Sequence, residues 1–402
     1  MLDFSNTKNA FADKSDKELQ MAYLLFKLMN NTFLSYAFTN LALLSLKMKM
    51  PVRHLIKKTV FFHFCGGETL EEARETILRL NKFNVKTIFD YSVEGSTHSD
   101  NHLDKLEENY NKTAKNILNM IEYSRKLPAV SFISVKMTGI ARKNLLKKVS
   151  ETNDLDKDEL AEFEKVKNRL NHLCNAAYEA DIYINIDAEE TWFQPAMDKL
   201  CMDMMRKYNK KKPIVSNTYQ MYVCNKFNTI KQHYDISKKE GFYYGVKLVR
   251  GAYLEKERRV AVENGYASPV YSFKQETDDT FDEAIAFCLQ DVEHISLCVA
   301  SHNEKSNLLT TQLMEKKQIP KNHPNVWFAQ LLGMSDTLSF NLAHENYNAA
   351  KYVPYGPVLS TMPYLIRRSQ ENSAIAGQMG RELQNISLEK KRRRNIKGGS
   401  KN

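Results

Sequence analysis

From residue 60 onward, short apolar runs rich in β-branched and aromatic residues alternate with longer amphipathic stretches. Short apolar runs are typical of buried strands, and stretches with a 3.6-residue period are typical of helices, such as LEEARETILRLNKF (70–83). The candidate strands are TVFFHF (59–64), VKTIFDYS (85–92), AVSFISVK (129–136), IYINIDAE (182–189), PIVSNTYQ (213–220), YGVKLVRG (244–251), SLCVASHN (296–303), VWFAQLLG (326–333) and AKYVPYG (350–356).

The order of these runs predicts the class of fold. Apolar strands that alternate with helices indicate a parallel sheet buried on both faces. Eight such units fit a (β/α)8 barrel of the TIM type. A doubly wound open sheet is the alternative, and the lack of a Gly-rich first turn favours the barrel. Nine candidates have to supply eight strands, and the pattern leaves open which of them is not a strand.

The two ends of the chain differ from this middle part. Residues 1–58 have a helical pattern, and polar residues interrupt the apolar stretch 17–47, so no run of about 20 apolar residues spans a bilayer. We therefore expect an N-terminal helical segment (1–58) that packs under the barrel. The barrel is expected at 59–385, and a basic C-terminal tail at 386–402.

Charge and cysteine content narrow the class of protein. The net charge is +10, of which residues 389–402 contribute +6 with seven Lys or Arg and one Glu. We expect residues 389–402 to be frayed and able to contact anionic lipid. The six cysteines are scattered, and the first residues show no export or transit signature. Both features favour a reducing compartment, which would be the cytoplasm, or the mitochondrion in a eukaryotic host. Nucleic-acid binding is not expected, because no known nucleic-acid-binding module is present.

Seven consecutive candidate strands have polar residues at or just beyond their carboxyl ends. In a barrel these ends form one rim, where the chemistry collects. A single residue of this kind is usually solvated, but seven at one rim indicate a site. The cations suit an anionic ligand, whereas one His and few acids do not suit a metal. The residues are Glu94, Lys136, Asp187, Gln220, Lys247 with Arg250, His302 with Asn303, and Gln330.

The stretch PYLIRRSQEN (363–372) is predicted to be a helix with Pro363 in its first turn. One face carries Tyr364, Arg367, Arg368 and Glu371. Taken alone, this is most simply a solvated face with Arg–Glu pairs. Two adjacent arginines are also suited to bind one planar carboxylate, and the aromatic ring of Tyr352 upstream offers a wall for a small apolar ring.

Several motifs in one order resemble the proline dehydrogenase family over roughly residues 60–380. They are IDAEETWFQPA (186–196), NTYQMY (217–222), KLVRGAYLEKER (247–258), ASHNEKS (300–306), FAQLLGMSD (328–336), KYVPYGP (351–357) and PYLIRRSQEN (363–372). The resemblance implies an enzyme that holds FAD without a Rossmann unit, oxidises L-proline to Δ1-pyrroline-5-carboxylate and passes the electrons to a quinone. We expect a monofunctional member that meets its quinone at a membrane surface.

The resemblance also implies roles for individual residues. Arg367, Arg368 and Lys136 match the residues that bind the proline carboxylate, while Tyr352, Tyr364 and Leu331 match the lining of the proline ring. Glu94 matches an acid that pairs with the arginines. The positions that match the surroundings of the flavin are Asp187, Gln220, Lys247, Arg250, Gly251, His302 and Glu371.

Three alternatives remain open. A hydroxyproline dehydrogenase is similar in sequence, although the large Tyr352 favours proline, because a steric wall rejects an added group. An aldolase-like barrel would use Lys136 as a Schiff-base lysine. A basic module that binds membranes or nucleic acid would retain the barrel without the chemistry.

Overall fold

The computed structural model describes residues 2–30, 57–92, 103–152, 154–362, 364–366 and 378–399. Its strands form one closed barrel in which neighbours in sequence are neighbours in space. The closed barrel confirms the (β/α)8 prediction and excludes the doubly wound sheet. The strands are β1 (Val85–Tyr91), β2 (Val130–Lys136), β3 (Tyr183–Asp187), β4 (Val215–Gln220), β5 (Tyr244–Val249), β6 (Ile295–Ala300), β7 (Val326–Leu331) and β8 (Ala349–Tyr355).

The helices surround and precede this barrel. They are α1 (Thr7–Ala10), α2 (Asp16–Met29), α3 (Phe62–Phe64), α4 (Leu70–Asn81), α5 (Leu103–Arg125), α6 (Lys143–Glu151), α7 (Lys157–Ala180), α8 (Gln194–Tyr208), α9 (Lys226–Glu240), α10 (Leu254–Asn264), α11 (Lys274–Cys288), α12 (Glu304–Lys316), α13 (Asp336–His344) and α14 (Gln378–Gly399). Within the described ranges, no helix is long and apolar enough to cross a membrane.

The first candidate strand is wrong. Residues 59–64 belong to a π-helical turn (Lys57–Phe61) followed by α3, and the first strand of the barrel is 85–91. Phe61 and Phe64 are buried in an apolar cluster with helix α2. A short aromatic run looks the same in a buried helix as in a buried strand, so its periodicity does not separate the two. The ninth candidate supplies β8 instead.

The chain divides into two compact units, Ile88–Ala329 and Met1–Thr87 with Gln330–Asn402. In the first unit, β2 to β7 pair in parallel, and the register sets Lys136 beside Asp187 and Thr218 beside Lys247. Parallel neighbours carry their polar residues to the same edge. The register therefore brings the strand-end residues of this unit to one end of the sheet.

In the other unit, the two chain termini pack together as helices. Ser15 and Glu18 cap the start of α2 reciprocally, and Leu19, Phe26 and Ile386 are buried in one apolar cluster. The C-terminal segment is α14 up to Gly399, so the expectation of a frayed basic end is wrong for residues 389–399. Glu389 is wholly buried and binds Arg392 and Arg393, which explains the order there. The division at residues 58 and 385 stays a prediction.

Candidate active site

Asp187 and Lys247 form an ion pair at the carboxyl ends of β3 and β5. The Lys247 Nζ lies 2.7 Å from Asp187 Oδ1, and the Ser134 hydroxyl donates to the same oxygen at 2.8 Å. Burial alone would raise the pKa of Asp187, but the charges of Lys247 and Lys136 outweigh it and hold this pKa below its ordinary value. The site therefore contains a fixed, ionised carboxylate beside a buried ammonium.

Lys136, at the end of β2, binds an acid that the sequence did not single out. Its Nζ lies 2.8 Å from both carboxylate oxygens of Asp90, the penultimate residue of β1. In the sequence, the signal for Asp90 is a carboxylate between the aromatic residues Phe89 and Tyr91 near the end of a strand, whereas the predicted acid is Glu94. A Schiff-base lysine needs a neutral, free amine, which this bidentate contact disfavours.

Gln220 is the last residue of β4, and both polar atoms of its side-chain amide form hydrogen bonds. Its Nε2 donates to the Glu189 carbonyl at 2.6 Å, and its Oε1 accepts from the Ala252 N–H at 3.1 Å. These contacts fix which end of the amide faces which neighbour. Gln220 also borders a small cavity, whose other lining residues include Ala188, Thr191, Gln194, Thr218 and Lys226.

Arg250 follows β5 and is held from three sides. Its Nε lies 2.6 Å from Asp278, and its two terminal nitrogens donate to Ser301 at 2.6 Å and Ser306 at 3.0 Å. The guanidinium also lies 4.3 Å from the centre of the Phe281 ring. Salt bridge, hydroxyls and ring together hold the guanidinium in one orientation.

Gly251 follows Arg250, and only a glycine fits there, because the ring of Tyr222 packs directly against its backbone. Its φ is +139°, and an added Cβ would lie 2.4 Å from the ring of Tyr222. The backbone here is bare of side chain, as is common where a backbone approaches a ligand. His302 lies just beyond the end of β6 and is half-buried.

The residues expected to line the substrate ring belong to the other unit. Tyr364 is 3% exposed within an apolar cluster, against which Leu331 packs. Tyr352, in β8, is 8% exposed, and its carbonyl accepts from the Leu332 N–H at 3.0 Å. The structure thus brings Leu331 and Tyr364 into one apolar cluster, and their role in lining a substrate ring stays a prediction.

Four of the predicted residues lie outside the described residues: Arg367, Arg368, Glu371 and Glu94. Of the predicted helix 363–372, residues 364–366 are described and helical. Residues 358–362 are helical as well, so helical structure precedes Pro363. Pro363 itself lies outside the described residues, so its place in a helix stays a prediction.

A family model described as proline dehydrogenase matches residues 73–381. The chain belongs to the proline dehydrogenase family. Proline dehydrogenase 1, mitochondrial, of Dictyostelium discoideum is 33% identical over 96% of this chain and 74% of its own length. Hydroxyproline dehydrogenase of Xenopus laevis is 29% identical over 95% of this chain and 88% of its own.

A solved proline utilization A (PutA) from Bdellovibrio bacteriovorus, inactivated by N-propargylglycine, has a similar fold. The TM-score is 0.70 at 22% identity, and the match covers 84% of this chain and 37% of that one. The chain thus spans little more than a third of the PutA protein. At this identity the match supports the barrel architecture and nothing finer.

Proline dehydrogenases are enzymes that use a flavin, and the described residues fit such a group. Within the described part of the chain, the buried Thr218 Oγ1 has no hydrogen-bond partner, and Thr218 lines the cavity beside Gln220. Buried hydroxyls are normally satisfied, so this one has capacity for a ligand. The ammonium of Lys247 adds positive charge for a group that becomes anionic on reduction.

Proposed function

We propose that this enzyme oxidises L-proline to Δ1-pyrroline-5-carboxylate and passes the electrons to a quinone. Bound FAD would accept the hydride at its N5 atom. The observation that carries the proposal is the set of fixed polar side chains at the ends of β2 to β5, in a chain of the proline dehydrogenase family. Asp187, Gln220 and Lys247 would hold the flavin, and Arg250, Gly251, His302 and Glu371 would complete its surroundings.

The substrate is a small zwitterion, so the enzyme has to bind one carboxylate and pack a few methylenes. Lys136, with Arg367 and Arg368, would bind the carboxylate. The contact between Lys136 and Asp90 supports this role, because a lysine already held by a buried acid costs less to order when the substrate arrives. Leu331, Tyr352 and Tyr364 would pack against the ring.

The protein's contribution in this proposal is orientation and electrostatics. The substrate amine has to be neutral to release a hydride, so the rate should rise with pH until the bound amine has lost its proton. No covalent adduct with the protein is needed. In this proposal Lys136 remains a charged ammonium throughout the reaction, and Lys247 balances the negative charge of the reduced cofactor.

The direct test is spectroscopic. The purified protein should show flavin absorbance, and anaerobic addition of L-proline should bleach it. Replacement of Arg368 by Met should raise KM for proline strongly while the flavin content stays that of the wild type. A colourless protein that fails to take up FAD would contradict the proposal, and an unchanged KM would contradict the carboxylate assignment alone.

Hydroxyproline dehydrogenase is the second candidate, supported by the similarity to the Xenopus laevis protein. The bulk of Tyr352, which is buried in β8, favours the unsubstituted ring. The ratio of kcat/KM for L-proline to that for trans-4-hydroxy-L-proline decides between them. A ratio below one would replace the proposal by the alternative.

A quinone is held in a bilayer, so we also propose a peripheral encounter with the membrane surface. Lys391 and Arg394 of α14 are exposed and would face anionic lipid. Sedimentation with vesicles containing phosphatidylserine tests this, with the variant Lys391→Gln/Arg394→Gln against the wild type. Equal binding of both proteins would contradict a role for this helix.

A further inference from the structure

Lys351 is a fully buried cation that the proposed function leaves unused. It lies in the middle of β8, and its side chain is 0% exposed. The Nζ lies 2.8 Å from Asp336 Oδ1 and 3.3 Å from the Leu331 carbonyl oxygen, and it also donates to the Met334 carbonyl. An ammonium has three N–H donors, and these three acceptors match that number.

All three acceptors belong to the connection between β7 and α13. Leu331 ends β7, Asp336 begins α13, and Met334 lies between them. Gly333 (φ +76°) and Ser335 (φ +50°) have left-handed backbone conformations, which curl the connection tightly. Lys351 thus ties the start, the middle and the end of residues 331–336 to strand β8.

Further contacts hold the same connection in place. The His63 Nε2 lies 3.0 Å from the Gly333 carbonyl oxygen, and the Ser335 N–H donates to Glu382 at 2.7 Å. A Cβ on Gly333 would lie 2.3 Å from the His63 carbonyl oxygen, so there is no space for this connection to shift towards α3. The connection is therefore held closely on more than one side.

Two of the residues proposed to line the substrate ring are joined by this arrangement. Tyr352 follows Lys351 directly, and consecutive strand residues point to opposite faces. Leu331 supplies one of the carbonyls that Lys351 binds, and the Leu332 N–H donates to the Tyr352 carbonyl. The backbone around Leu331 and the backbone of Tyr352 are thus fixed to each other, and Lys351 links them.

We propose that Lys351 is a positioning residue, which sets the spacing of Leu331 and Tyr352 and so the fit of the enzyme to a five-membered ring. This inference rests on the proposed function, because it takes both residues as the lining of the proline ring. Lys351 itself touches no substrate. Its loss should weaken recognition of the ring and leave recognition of the carboxylate intact.

Lys14 offers a matched control. Its Nζ binds the other oxygen of Asp336 at 2.9 Å, and its side chain is also largely buried, at 13% exposure. Its Nζ is paired with the carboxylates of Asp13 and Asp336, and not with the carbonyls of residues 331–334. Lys14→Met and Lys351→Met therefore each remove one cation from Asp336. Only Lys351→Met also removes the hydrogen bonds to the carbonyls of the connection between β7 and α13.

The test is calorimetric binding of two probes to the flavin-loaded protein, with steady-state kinetics beside it. Tetrahydrofuran-2-carboxylate has the ring and the carboxylate but no amine to oxidise, and acetate has the carboxylate alone. Lys351→Met should bind tetrahydrofuran-2-carboxylate about tenfold more weakly than the wild type does, because tenfold is the low end of the effect of displacing an apolar wall. It should bind acetate as tightly as the wild type does. KM for proline should rise by a similar factor, with kcat changed less.

Each result has a definite meaning. Equal losses for Lys14→Met and Lys351→Met, or equal losses for both probes, would overturn the inference, since they would report general disruption. If Lys351→Met does not fold, Lys351→Gln, which keeps one donor group, is measured instead with the same expectations. A wild-type protein that neither binds tetrahydrofuran-2-carboxylate nor oxidises proline would overturn the proposed function and this inference with it. An active wild type with an unaltered Lys351→Met overturns the inference alone.

Discussion

The ammonium of Lys136 lies 2.8 Å from each carboxylate oxygen of Asp90, across the ends of two neighbouring strands. The Asp90 side chain is 1% exposed and that of Lys136 11% exposed. The Ser92 hydroxyl also donates to Asp90 Oδ2, but a buried carboxylate of this kind is costly without its charged partner. The acid therefore does two things, since it fixes the direction of the lysine and, in the proposed function, presents its ammonium to the substrate carboxylate.

Replacement of Asp90 by Asn should separate these two effects. The amide keeps one acceptor but loses the charge, so Lys136 is held less firmly. We expect KM for proline to rise several-fold and the protein to lose about 1 to 3 kcal/mol of unfolding free energy. Steady-state kinetics and urea denaturation measure both. The control is Lys147→Met, which removes the exposed pair with Glu151 and should alter neither quantity.

Gly251 and Gly265 form a second comparison, because both have a positive φ but only one is crowded. A Cβ at Gly251 would meet the Tyr222 ring, whereas a Cβ at Gly265 (φ +68°) meets nothing within 4 Å. Gly265→Ala should cost about 1 kcal/mol from backbone strain alone. Gly251→Ala should in addition lower the flavin content of the purified protein. Flavin absorbance per mole of protein decides, and equal flavin contents in the two variants would refute a role for Gly251 in the site.

The eight strands of the barrel were predictable because buried parallel strands have a distinctive pattern and a regular spacing along the chain. The strand-end residues Lys136, Asp187, Gln220 and Lys247 were predictable for the same reason, since the carboxyl ends of barrel strands meet at one rim. Residues 59–64 show the limit of the pattern. Nothing in TVFFHF distinguishes a buried aromatic helix from a buried strand.

Partners that come from distant parts of the chain were not predictable. Asp90 binds Lys136, which is 46 positions away. Lys351 binds Asp336, which in the sequence looks like an ordinary exposed Asp at the start of a helix. The order of the basic C-terminal segment depends on Glu389 and Asp16, which are 373 positions apart. Composition indicates that such residues are charged, but only the fold determines which charges meet.

Glu189 provides a pH-dependent prediction. It is 3% exposed, and burial raises its pKa to about 7, despite hydrogen bonds from the Thr138 N–H and hydroxyl. A carboxyl whose pKa is higher in the folded state favours folding below its unfolded pKa of 4.5, and that stability is lost as pH rises through about 7. Glu189→Gln lacks this ionisation. The variant should therefore match the wild type at pH 4 and exceed it at pH 8 by up to about 3 kcal/mol.

Chemical denaturation at pH 4, 6 and 8 measures the difference in unfolding free energy between Glu189→Gln and the wild type. The difference should grow steadily over this range. Glu162→Gln is a suitable control, because that acid is partly exposed and paired with Arg142. A constant offset for Glu189→Gln at all three pH values would show that the amide changes packing and that the ionisation of Glu189 is not responsible.

Arg393 shows how much of the C-terminal basic charge is structural. Its Nε lies 2.7 Å from Glu389, and its terminal nitrogens donate to Asp16 at 2.9 Å and to the carbonyls of Lys14 and Phe11 at 2.9 and 2.8 Å. Arg393→Met removes these contacts and should cost about 1 to 3 kcal/mol of unfolding free energy, since hydrogen bonds to a charged group are among the stronger ones.

Arg394, the next residue, is exposed and serves as the matched control. Arg394→Met changes the net charge by the same amount and should leave the unfolding free energy within about 0.5 kcal/mol of the wild type. If both variants lose the same stability, net charge rather than the contacts of Arg393 is responsible. If neither loses any, the packing of α14 against α2 depends on its apolar residues, such as Ile386, and the ion pairs contribute only to its orientation.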